Sequence, residues 1–496
     1  MILLISMSWY LDFPDILPLR PQSVHAWRQT DCLSFARNYH DLGMDFFRPE
    51  IHNQLSDEHT SGKTAWEFPL LYWLVAGIWK LTGVQEWIFR LLVFVIFSWG
   101  LYALFRLIDH LTEQTAGALF SSLLLLASPV LAYYSLNFLP NVPSLGLLLL
   151  SWYLFFLYLE KPLWWRLAGW ITAASLAALL KVTALISLTA LGGLVLLNIY
   201  FGWSKRIKEQ ALPILAGIVI TGTLASAWFL YAVKYNAHHW GEYGLIRDWT
   251  LWNLDPERTG SILHQVRNLW LPEYHHPWML VFSGAGALWL LLTPRRSGWL
   301  LWCFFLLVLV CSIFYILLFF NAFYDHDYYT INLYILFPLI WGMLLFQAGR
   351  SSRITAWSVQ GTMFALLVVS VVYTAGKLDE RYNRWWNYDH RKNFSVYEDI
   401  EPLNRSLSIR PEDKIISVAD PSFNITLYLM NQRGWTNYRN PFESGDQVEY
   451  FIDKGARYLF INEFTLGNDR VFMPYIADTL ATVPPVSIYR LKTPLK

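Results

Sequence analysis

Long apolar runs recur along the first three quarters of the chain and are separated by short polar connections. A helix rises about 1.5 Å per residue, so about 20 mostly apolar residues cross the roughly 30 Å hydrocarbon layer of a bilayer. Ten runs qualify, at approximately 87–108, 116–134, 142–159, 163–180, 182–201, 211–231, 278–292, 299–320, 331–346 and 354–373. The apolar segment 1–11 is too short to cross, and we interpret it as a truncated first span. The pattern predicts a polytopic α-helical membrane protein with about eleven transmembrane helices.

The composition agrees with this pattern and excludes a water-soluble globule. Of the 496 residues, 55% are apolar and 15% are charged, whereas about 25% of the residues are charged in a soluble domain. The 38 basic residues nearly cancel the 37 acidic ones, so there is no overall basic field for binding nucleic acid. Cys32, Cys303 and Cys311 lie too far apart for a disulfide framework or a zinc motif.

The basic residues predict which connections are cytoplasmic. Lys and Arg collect in alternate connections, at 161–166, 205–208, 295–296 and 350–353, whereas the connections at 137–141 and 321–330 contain none. The positive-inside rule places the first set in the cytoplasm. Residues 12–85, 234–276 and everything after Thr374 are then extracytoplasmic, where most of the polar side chains collect.

The character of the sequence changes after Lys377. Runs at 414–419, 457–462 and 486–491 are typical of buried strands, and residues 445–454 are typical of a helix. We therefore predict a transmembrane domain at 1–376 and a small soluble α/β domain at 377–496, on the extracytoplasmic side.

The first outer loop contains an acidic residue on a predicted helix. Apolar residues recur near helical spacing at Val24, Trp27, Phe35 and Tyr39. This spacing predicts an amphipathic helix at the membrane surface. Asp31 lies four residues from both Trp27 and Phe35, where a carboxylate is costly unless it is paired or used. It either pairs with Arg28 and pins the helix, or acts as a general base; the spacing does not decide between these roles.

A second, shorter helix is predicted at 68–81, with Pro69 in its first turn. Its length, its aromatic residues and Lys80 favour a helix in the membrane interface. Glu67 lies at its amino-terminal end, where a carboxylate is stabilising. Alternatively, Glu67 orients a substrate or a neighbouring catalytic group.

Two further sets of polar residues lie at predicted outer boundaries of the membrane. Lys181 separates two apolar runs, where it either snorkels to the interface or binds a lipid phosphate. The loop at 321–330 contains Asp325, His326 and Asp327 together with three tyrosines, which are common interfacial anchors. Adjacent residues rarely form a good metal cage, so a divalent metal is possible but unsupported, and we predict no metal ligands.

The order of several segments resembles a known family. These segments are RQTD at 28–31, EFPLLYWLVAGIWKLTG at 67–83, Arg90, LASPVLAYYSLNFLPNVPSL at 126–145, ALLKVTAL at 178–185 and DHDYYTINLYILFPL at 325–339. Together, across approximately 21–346, they resemble the GT-C membrane glycosyltransferases. The closest likeness is to bacterial relatives of protein O-mannosyltransferases and lipid A aminoarabinose transferases.

The resemblance implies a hexosyl- or pentosyltransferase that moves a sugar from a polyprenyl-phosphate carrier to an acceptor hydroxyl. It implies these site residues: Asp31 as the catalytic base; Lys181, Arg28, His326 and Tyr329 for the donor phosphate; and Glu67, Asn141 and Asp325 for the substrate. Relatives usually have an acidic residue after the turn at 138–140, whereas this chain has Asn141. A retaining route needs a second carboxylate, so inversion is the simpler expectation.

The expected partners are a polyprenyl-phosphate sugar, membrane lipid and a protein, lipid or glycan acceptor. No cofactor is assigned. The expected location is the bacterial inner membrane, with the active site and the C-terminal domain extracytoplasmic, as in glycosylation of the cell envelope. The alternative is a transporter or flippase of a lipid-linked saccharide. That function requires charges within several spans or matching broken spans, whereas the charges here lie mostly at span ends.

Overall fold

A computed structural model describes residues 2–241, 249–439, 441–463 and 469–492. Internal contacts divide the chain into two compact units. The first, called the helical unit, comprises Met1–Leu17, Phe89–Phe229 and Ile246–Leu378. The second, called the mixed unit, comprises Pro18–Ile88, Leu230–Leu245 and Asp379–Lys496. The predicted domain boundary between residues 376 and 377 stays a prediction.

The α-helices of the first half of the chain are α1 (Ile2–Tyr10), α2 (Phe13–Ile16), α3 (Ala26–Leu42), α4 (Ser56–His59), α5 (Leu70–Thr82), α6 (Glu86–Thr112), α7 (Thr115–Leu126), α8 (Pro129–Ser135), α9 (Asn141–Glu160), α10 (Trp164–Leu180), α11 (Leu185–Phe201), α12 (Lys205–Glu209) and α13 (Ala211–His238). Those of the second half are α14 (Pro256–Gln265), α15 (Leu271–Tyr274), α16 (Pro277–Leu292), α17 (Pro294–Ser297), α18 (Trp299–Leu318), α19 (Leu336–Ser351), α20 (Arg353–Asn383), α21 (Tyr388–Asn393), α22 (Ile400–Ser406), α23 (Ile425–Leu429) and α24 (Gly445–Asp453).

The structure confirms a polytopic helical protein but contains fewer full-length spans than expected. Within the described residues, seven segments are long and apolar enough to cross a membrane: Glu86–Thr112, Asn141–Glu160, Val182–Phe201, Ala211–His238, Trp299–Leu318, Asp327–Ser351 and Arg353–Asn393. Helices α7 and α8 give an eighth if the pair counts as one span. The other predicted runs form α1, α10 and α16, with 9, 17 and 16 residues. These three helices are shorter than the roughly 20 residues of a full span.

The predicted span at 116–134 is broken into α7 and α8, which meet at an angle of 75°. The break has a local cause. Ser128 caps α8, accepting a hydrogen bond from the backbone N–H of Leu131 at 3.2 Å, and Pro129 follows at the first helical position. Proline is favoured there but cannot continue a preceding helix, because its ring removes the N–H donor.

Within the helical unit, α6 and α9 approach each other at two glycines. A Cβ atom added at Gly100 would lie 2.4 Å from the carbonyl oxygen of Gly146. One added at Gly146 would lie 2.7 Å from the carbonyl oxygen of Ile96. Small residues allow the backbones of membrane helices to pack closely, so that dispersion forces can stabilise the pair.

The C-terminal part of the mixed unit contains a five-stranded sheet. Its strands are β1 (Lys414–Val418), β2 (Arg433–Thr436), β3 (Ala456–Asn462), β4 (Ile476–Val483) and β5 (Val486–Leu491). The order is β2-β1-β3-β5-β4, with β1 parallel to β2 and β3, and β5 antiparallel to β3 and β4. The predicted strands correspond to β1, β3 and β5, and the predicted helix to α24. Strand β2 was missed because it is four residues long and contains a glycine, and β4 because it is largely exposed.

The first outer loop extends this sheet at its β2 edge. Asn53 pairs with Gly434 in parallel, and the N–H of Gln54 donates to the Gly434 carbonyl at 2.9 Å. The indole N–H of Trp435 donates to the Gln54 carbonyl at 3.1 Å. Gly434 has φ of 151°, and a Cβ there would lie 1.8 Å from the carbonyl oxygen of Ile415. Only glycine fits this position between the loop and β1.

Replacing Gly146 with Ala tests the packing of α6 on α9. The added methyl group must push the two backbones apart, and overpacking of this kind costs about 1–3 kcal/mol. We expect a lower melting temperature for purified Gly146→Ala in a thermal unfolding assay. The matched control is Gly222→Ala in α13, where nothing lies within 4 Å of the added Cβ. Equal melting temperatures for the two variants would contradict the close approach.

Candidate functional site

The predicted helix of the first outer loop is α3, and it is enclosed by protein on more than one face. Eleven of its 17 residues are buried, although a surface-lying amphipathic helix would bury a single stripe. It packs against α5 and α23 within the mixed unit. Phe35 stacks on Tyr72 of α5 at 5.3 Å between ring centroids, whereas Trp27 remains 38% exposed.

Asp31 is buried in α3, with 1% of its surface exposed. The side-chain amide of Asn424 donates to its Oδ1 at 2.9 Å. The Oδ1 atom of the same amide accepts the backbone N–H of Asn53 at 2.9 Å. Asn424 therefore links α3, the first loop and the segment that leads from β1 into α23. Sequence reasoning assigned no catalytic role to the C-terminal segment and missed this residue.

The side chain next to Asp31 is shielded from water. Burial raises the pKa of the neighbouring Cys32 thiol to about 11, and this thiol lies 3.5 Å from the hydroxyl of Tyr72. Charges act more strongly on one another where water is excluded.

Arg28 and Glu67 form an ion pair. The two side chains are 13% and 14% exposed, and the Arg28 guanidinium lies 4.2 Å from the centroid of the Trp66 ring. Helix α5 begins at Leu70, directly after Pro69, within two residues of the predicted start. The sequence left open whether Asp31 pairs with Arg28 or acts as a base. The contact of Arg28 with Glu67 spans 39 residues, so helical spacing could not predict it.

A buried histidine fixes α3 to the first loop. The Nδ1 atom of His52 lies 2.7 Å from the Ser34 hydroxyl, which also accepts the backbone N–H of His52 at 2.8 Å. Its Nε2 atom lies 3.3 Å from Oδ1 of Asn431. Because the hydroxyl already accepts one bond, it is free to donate to a neutral imidazole. Burial lowers the pKa of His52 to about 3.

In the helical unit, Lys181 stands at the end of α10. Its backbone is extended (φ −153°, ψ 117°) and separates α10 from the 3-10 turn Val182–Ala184 that precedes α11. The ammonium lies 5.3 Å from the centroid of the Tyr329 ring. The lysine therefore lies between two apolar helices, as predicted, and its charge contacts an aromatic face.

Tyr329 belongs to an aromatic cluster formed by the loop that follows α18. His326 stacks on Tyr329 at 5.6 Å with an interplanar angle of 22°, and Trp249 lies 6.0 Å from His326. The Tyr315 hydroxyl donates to the carbonyl of Tyr329 at 2.9 Å. The structure thus brings together Lys181, His326 and Tyr329, which were predicted to bind the phosphate of the sugar donor. Asp325, in contrast, is exposed in the adjoining turn.

Two buried hydrogen bonds fix the same loop to its surroundings. Asp327 is fully buried and accepts a hydrogen bond from the Tyr134 hydroxyl at 2.6 Å. Asn141, which is 3% exposed, donates to the carbonyl of Tyr328 at 3.1 Å. In this structure Asn141 therefore positions the loop. Within the described ranges, no group of three or more His, Cys, Asp or Glu side chains is arranged to hold a metal.

Comparisons with known proteins identify the architecture. Residues 64–231 match the model of a family described as dolichyl-phosphate-mannose-protein mannosyltransferase. ArnT from Cupriavidus metallidurans bound to undecaprenyl phosphate aligns with a TM-score of 0.61 and 15% identity, over 99% of this chain and 97% of ArnT. The apo form gives a TM-score of 0.64 and 12% identity, over 99% and 98% of the two chains. The chain has the GT-C fold.

The GT-C fold confirms the resemblance found in the sequence. No curated protein sequence matches the chain. The segment matched by the family model contains Glu67, Asn141 and Lys181, whereas Arg28, Asp31 and the loop of His326 lie outside it. The structural alignment with the GT-C protein ArnT covers nearly the whole chain.

The His52 contacts predict a pH dependence of stability. The folded pKa of about 3 lies below the unfolded value of about 6.5. Between these values the unfolded chain binds a proton that the folded chain excludes, so stability falls as the pH falls below about 6.5. At pH 5 the loss reaches about 2 kcal/mol.

We expect His52→Gln to reduce the difference between the unfolding temperatures at pH 7.5 and pH 5. His264→Gln is the control, because this ring is exposed beside Asn268. An unchanged acid sensitivity in His52→Gln would show that other groups cause it.

Proposed function

We propose that this GT-C protein is a glycosyltransferase that moves a sugar from a polyprenyl-phosphate-linked donor to an acceptor hydroxyl on the extracytoplasmic side of the membrane. The observation that carries the proposal is the alignment, over 99% of the chain, with ArnT bound to undecaprenyl phosphate. The distribution of Lys and Arg over the connections supports the sidedness. We place the protein in the bacterial inner membrane.

The chemistry of the donor favours a site at headgroup depth. A polyprenyl tail stays in the hydrocarbon layer, while its phosphosugar must meet an acceptor from the aqueous side. Lys181 lies between two apolar helices at a predicted outer boundary, where its ammonium supplies a point charge for a phosphate. His326 and Tyr329 line the same cluster and add a ring nitrogen and a hydroxyl as donors to the phosphate oxygens. Arg28 is the predicted phosphate ligand from the mixed unit.

In the proposed reaction, Asp31 is the general base. Its carboxylate takes the proton of the acceptor hydroxyl, and the acceptor oxygen attacks the anomeric carbon as the bond from that carbon to the phosphate oxygen breaks. The leaving phosphate keeps the electron pair of the broken bond, and Lys181 stabilises its charge. A single displacement inverts the configuration of the anomeric carbon. Glu67, the other candidate acid, is paired with Arg28.

Asn424 is a positioning residue in this mechanism. Its amide donates a hydrogen bond to Oδ1 of Asp31 and so fixes the orientation of the carboxylate. Because Asp31 is only 1% exposed, an acceptor hydroxyl reaches it when neighbouring side chains move aside. Glu67, Asn141 and Asp325 remain the predicted substrate contacts, and Asn141 would exchange its bond to the Tyr328 carbonyl for one to the sugar.

Asp31→Asn is expected to abolish sugar transfer, measured with polyprenyl-phosphate sugars in detergent, while keeping the melting temperature close to that of the wild type. The amide preserves the shape and hydrogen bonding of the side chain but removes the base. General-base catalysis contributes about 100- to 10,000-fold, and a loss in this range is expected. Full activity of Asp31→Asn would exclude Asp31 as the base.

The double variant Asp31→Asn/Asn424→Asp separates catalysis from structure. It exchanges the two groups, so the hydrogen bond can form in the opposite direction, but the carboxylate now belongs to the C-terminal segment. We expect a melting temperature close to that of the wild type, as for Asp31→Asn, and no sugar transfer. Restored transfer would show that the pair matters for folding and that the position of the acid does not.

Lys181→Ala is expected to weaken apparent donor affinity about 10- to 100-fold, because it removes a charge-assisted contact with the phosphate. Apparent acceptor affinity should change much less. Lys161→Ala, at an exposed position of the same unit, is the control. Equal effects of the two substitutions on donor affinity would contradict phosphate binding by Lys181.

A further inference from the structure

Three aromatic side chains of the mixed unit form a cluster one helical turn from Asp31. The ring of Trp27 meets those of Phe423 and Tyr438 edge-on, at 5.7 and 5.8 Å between centroids. Phe423 and Tyr438 lie 4.0 Å apart. Trp27 is 38% exposed, so the cluster holds an indole in a fixed orientation and leaves part of its surface uncovered.

The cluster lies at the carboxyl edge of the parallel part of the sheet. Phe423 follows β1, and Tyr438 follows β2 by two residues. In open α/β sheets, ligands bind in the crevice outside the carboxyl ends of parallel strands. Here α3 closes that crevice, because Trp27 contacts both loops and Asn424, the neighbour of Phe423, bonds to Asp31.

Polar groups lie next to Tyr438 and Phe423. The guanidinium of Arg439 lies 5.1 Å from the centroid of Tyr438. The Oδ1 atoms of Asn437 and Asn53 are buried and have no hydrogen-bond partner among the residues that the structure describes. Asn53 is 2% exposed, and its amide nitrogen donates to the carbonyl of Phe423 at 2.7 Å. Buried acceptors without a partner are costly, and a ligand with hydroxyl groups would satisfy them.

We propose that this edge binds a saccharide ring of the acceptor, with its C–H face on Trp27, and presents a ring hydroxyl to Asp31. A sugar ring combines an apolar face with a rim of hydroxyls, which matches an exposed aromatic surface beside amide oxygens and a guanidinium. A hydrocarbon chain would leave the two amide oxygens unpaired. Trp27 and Asp31 lie on one face of α3, four residues and about 6 Å of helical rise apart.

This inference rests on the proposed function and selects a glycan among the acceptors that the sequence left open. It also assigns the C-terminal α/β domain a task, namely recognition of the acceptor. Trp27, Phe423 and Tyr438 determine which acceptor binds, whereas Asp31 performs the proton transfer.

The experiment is saturation-transfer-difference NMR on the full-length protein in detergent. The probes are methyl β-D-glucopyranoside, methyl α-D-mannopyranoside and methyl β-D-galactopyranoside, with the peptide acetyl-Gly-Ser-Gly-amide as an analogue of a protein acceptor. We expect saturation of the ring C–H protons of at least one glycoside. Trp27→Ala should weaken its affinity about 2- to 10-fold, the value of one aromatic contact, and Trp27→Phe should retain part of it.

Trp385→Ala is the matched control, because Trp385 is 57% exposed in the same unit and stacks on Trp386. Absence of any glycoside signal, or equal losses in Trp27→Ala and Trp385→Ala at equal melting temperatures, would overturn the saccharide assignment. A peptide signal that depends on Trp27 would overturn it in favour of a protein acceptor. The NMR readout requires neither donor nor turnover. Glycoside binding without any sugar transfer would therefore count against the proposed function alone.

Discussion

A carboxylate removed from water must find hydrogen-bond donors within the protein, and Asp31 meets this requirement in part through the C-terminal segment. A buried charge without partners is far less stable than a solvated one, and the donor seen here comes from Asn424, 393 residues away. The C-terminal segment is thus part of the environment of the acid. This contact couples the shape of the C-terminal domain to the chemistry proposed for the first loop.

The same principle operates separately in the helical unit. Lys181 and the loop of His326 lie where apolar helices end, and backbone carbonyls of the loop are held by Asn141 and Tyr315. Hydrogen bonds of this kind fix a loop in one conformation and so hold its side chains in place. Each unit therefore contains a different set of buried polar groups.

Sequence patterns predicted the features that depend on local periodicity. The apolar runs, α3, the start of α5, the position of Lys181 and three strands all follow from residues close together in the chain. The contacts at the site do not. Arg28 pairs with Glu67, which is 39 residues away, and Tyr134 reaches Asp327 across 193 residues. Asn424 did leave a signal, since it follows a predicted buried strand in an α/β pattern, where ligand contacts collect.

The edge pairing between Asn53 and Gly434 has a consequence for biogenesis. Translation proceeds from the amino terminus, so residues 52–54 emerge early and their strand partner emerges after every membrane span has been made. Bringing together segments that are 381 residues apart, as at Gln54 and Trp435, costs a large amount of chain entropy. This cost is met before the contact forms and can offset it. Closure of the sheet around α3 is therefore a late event, and the environment of Asp31 is completed only after the segment around Gly434 has been made.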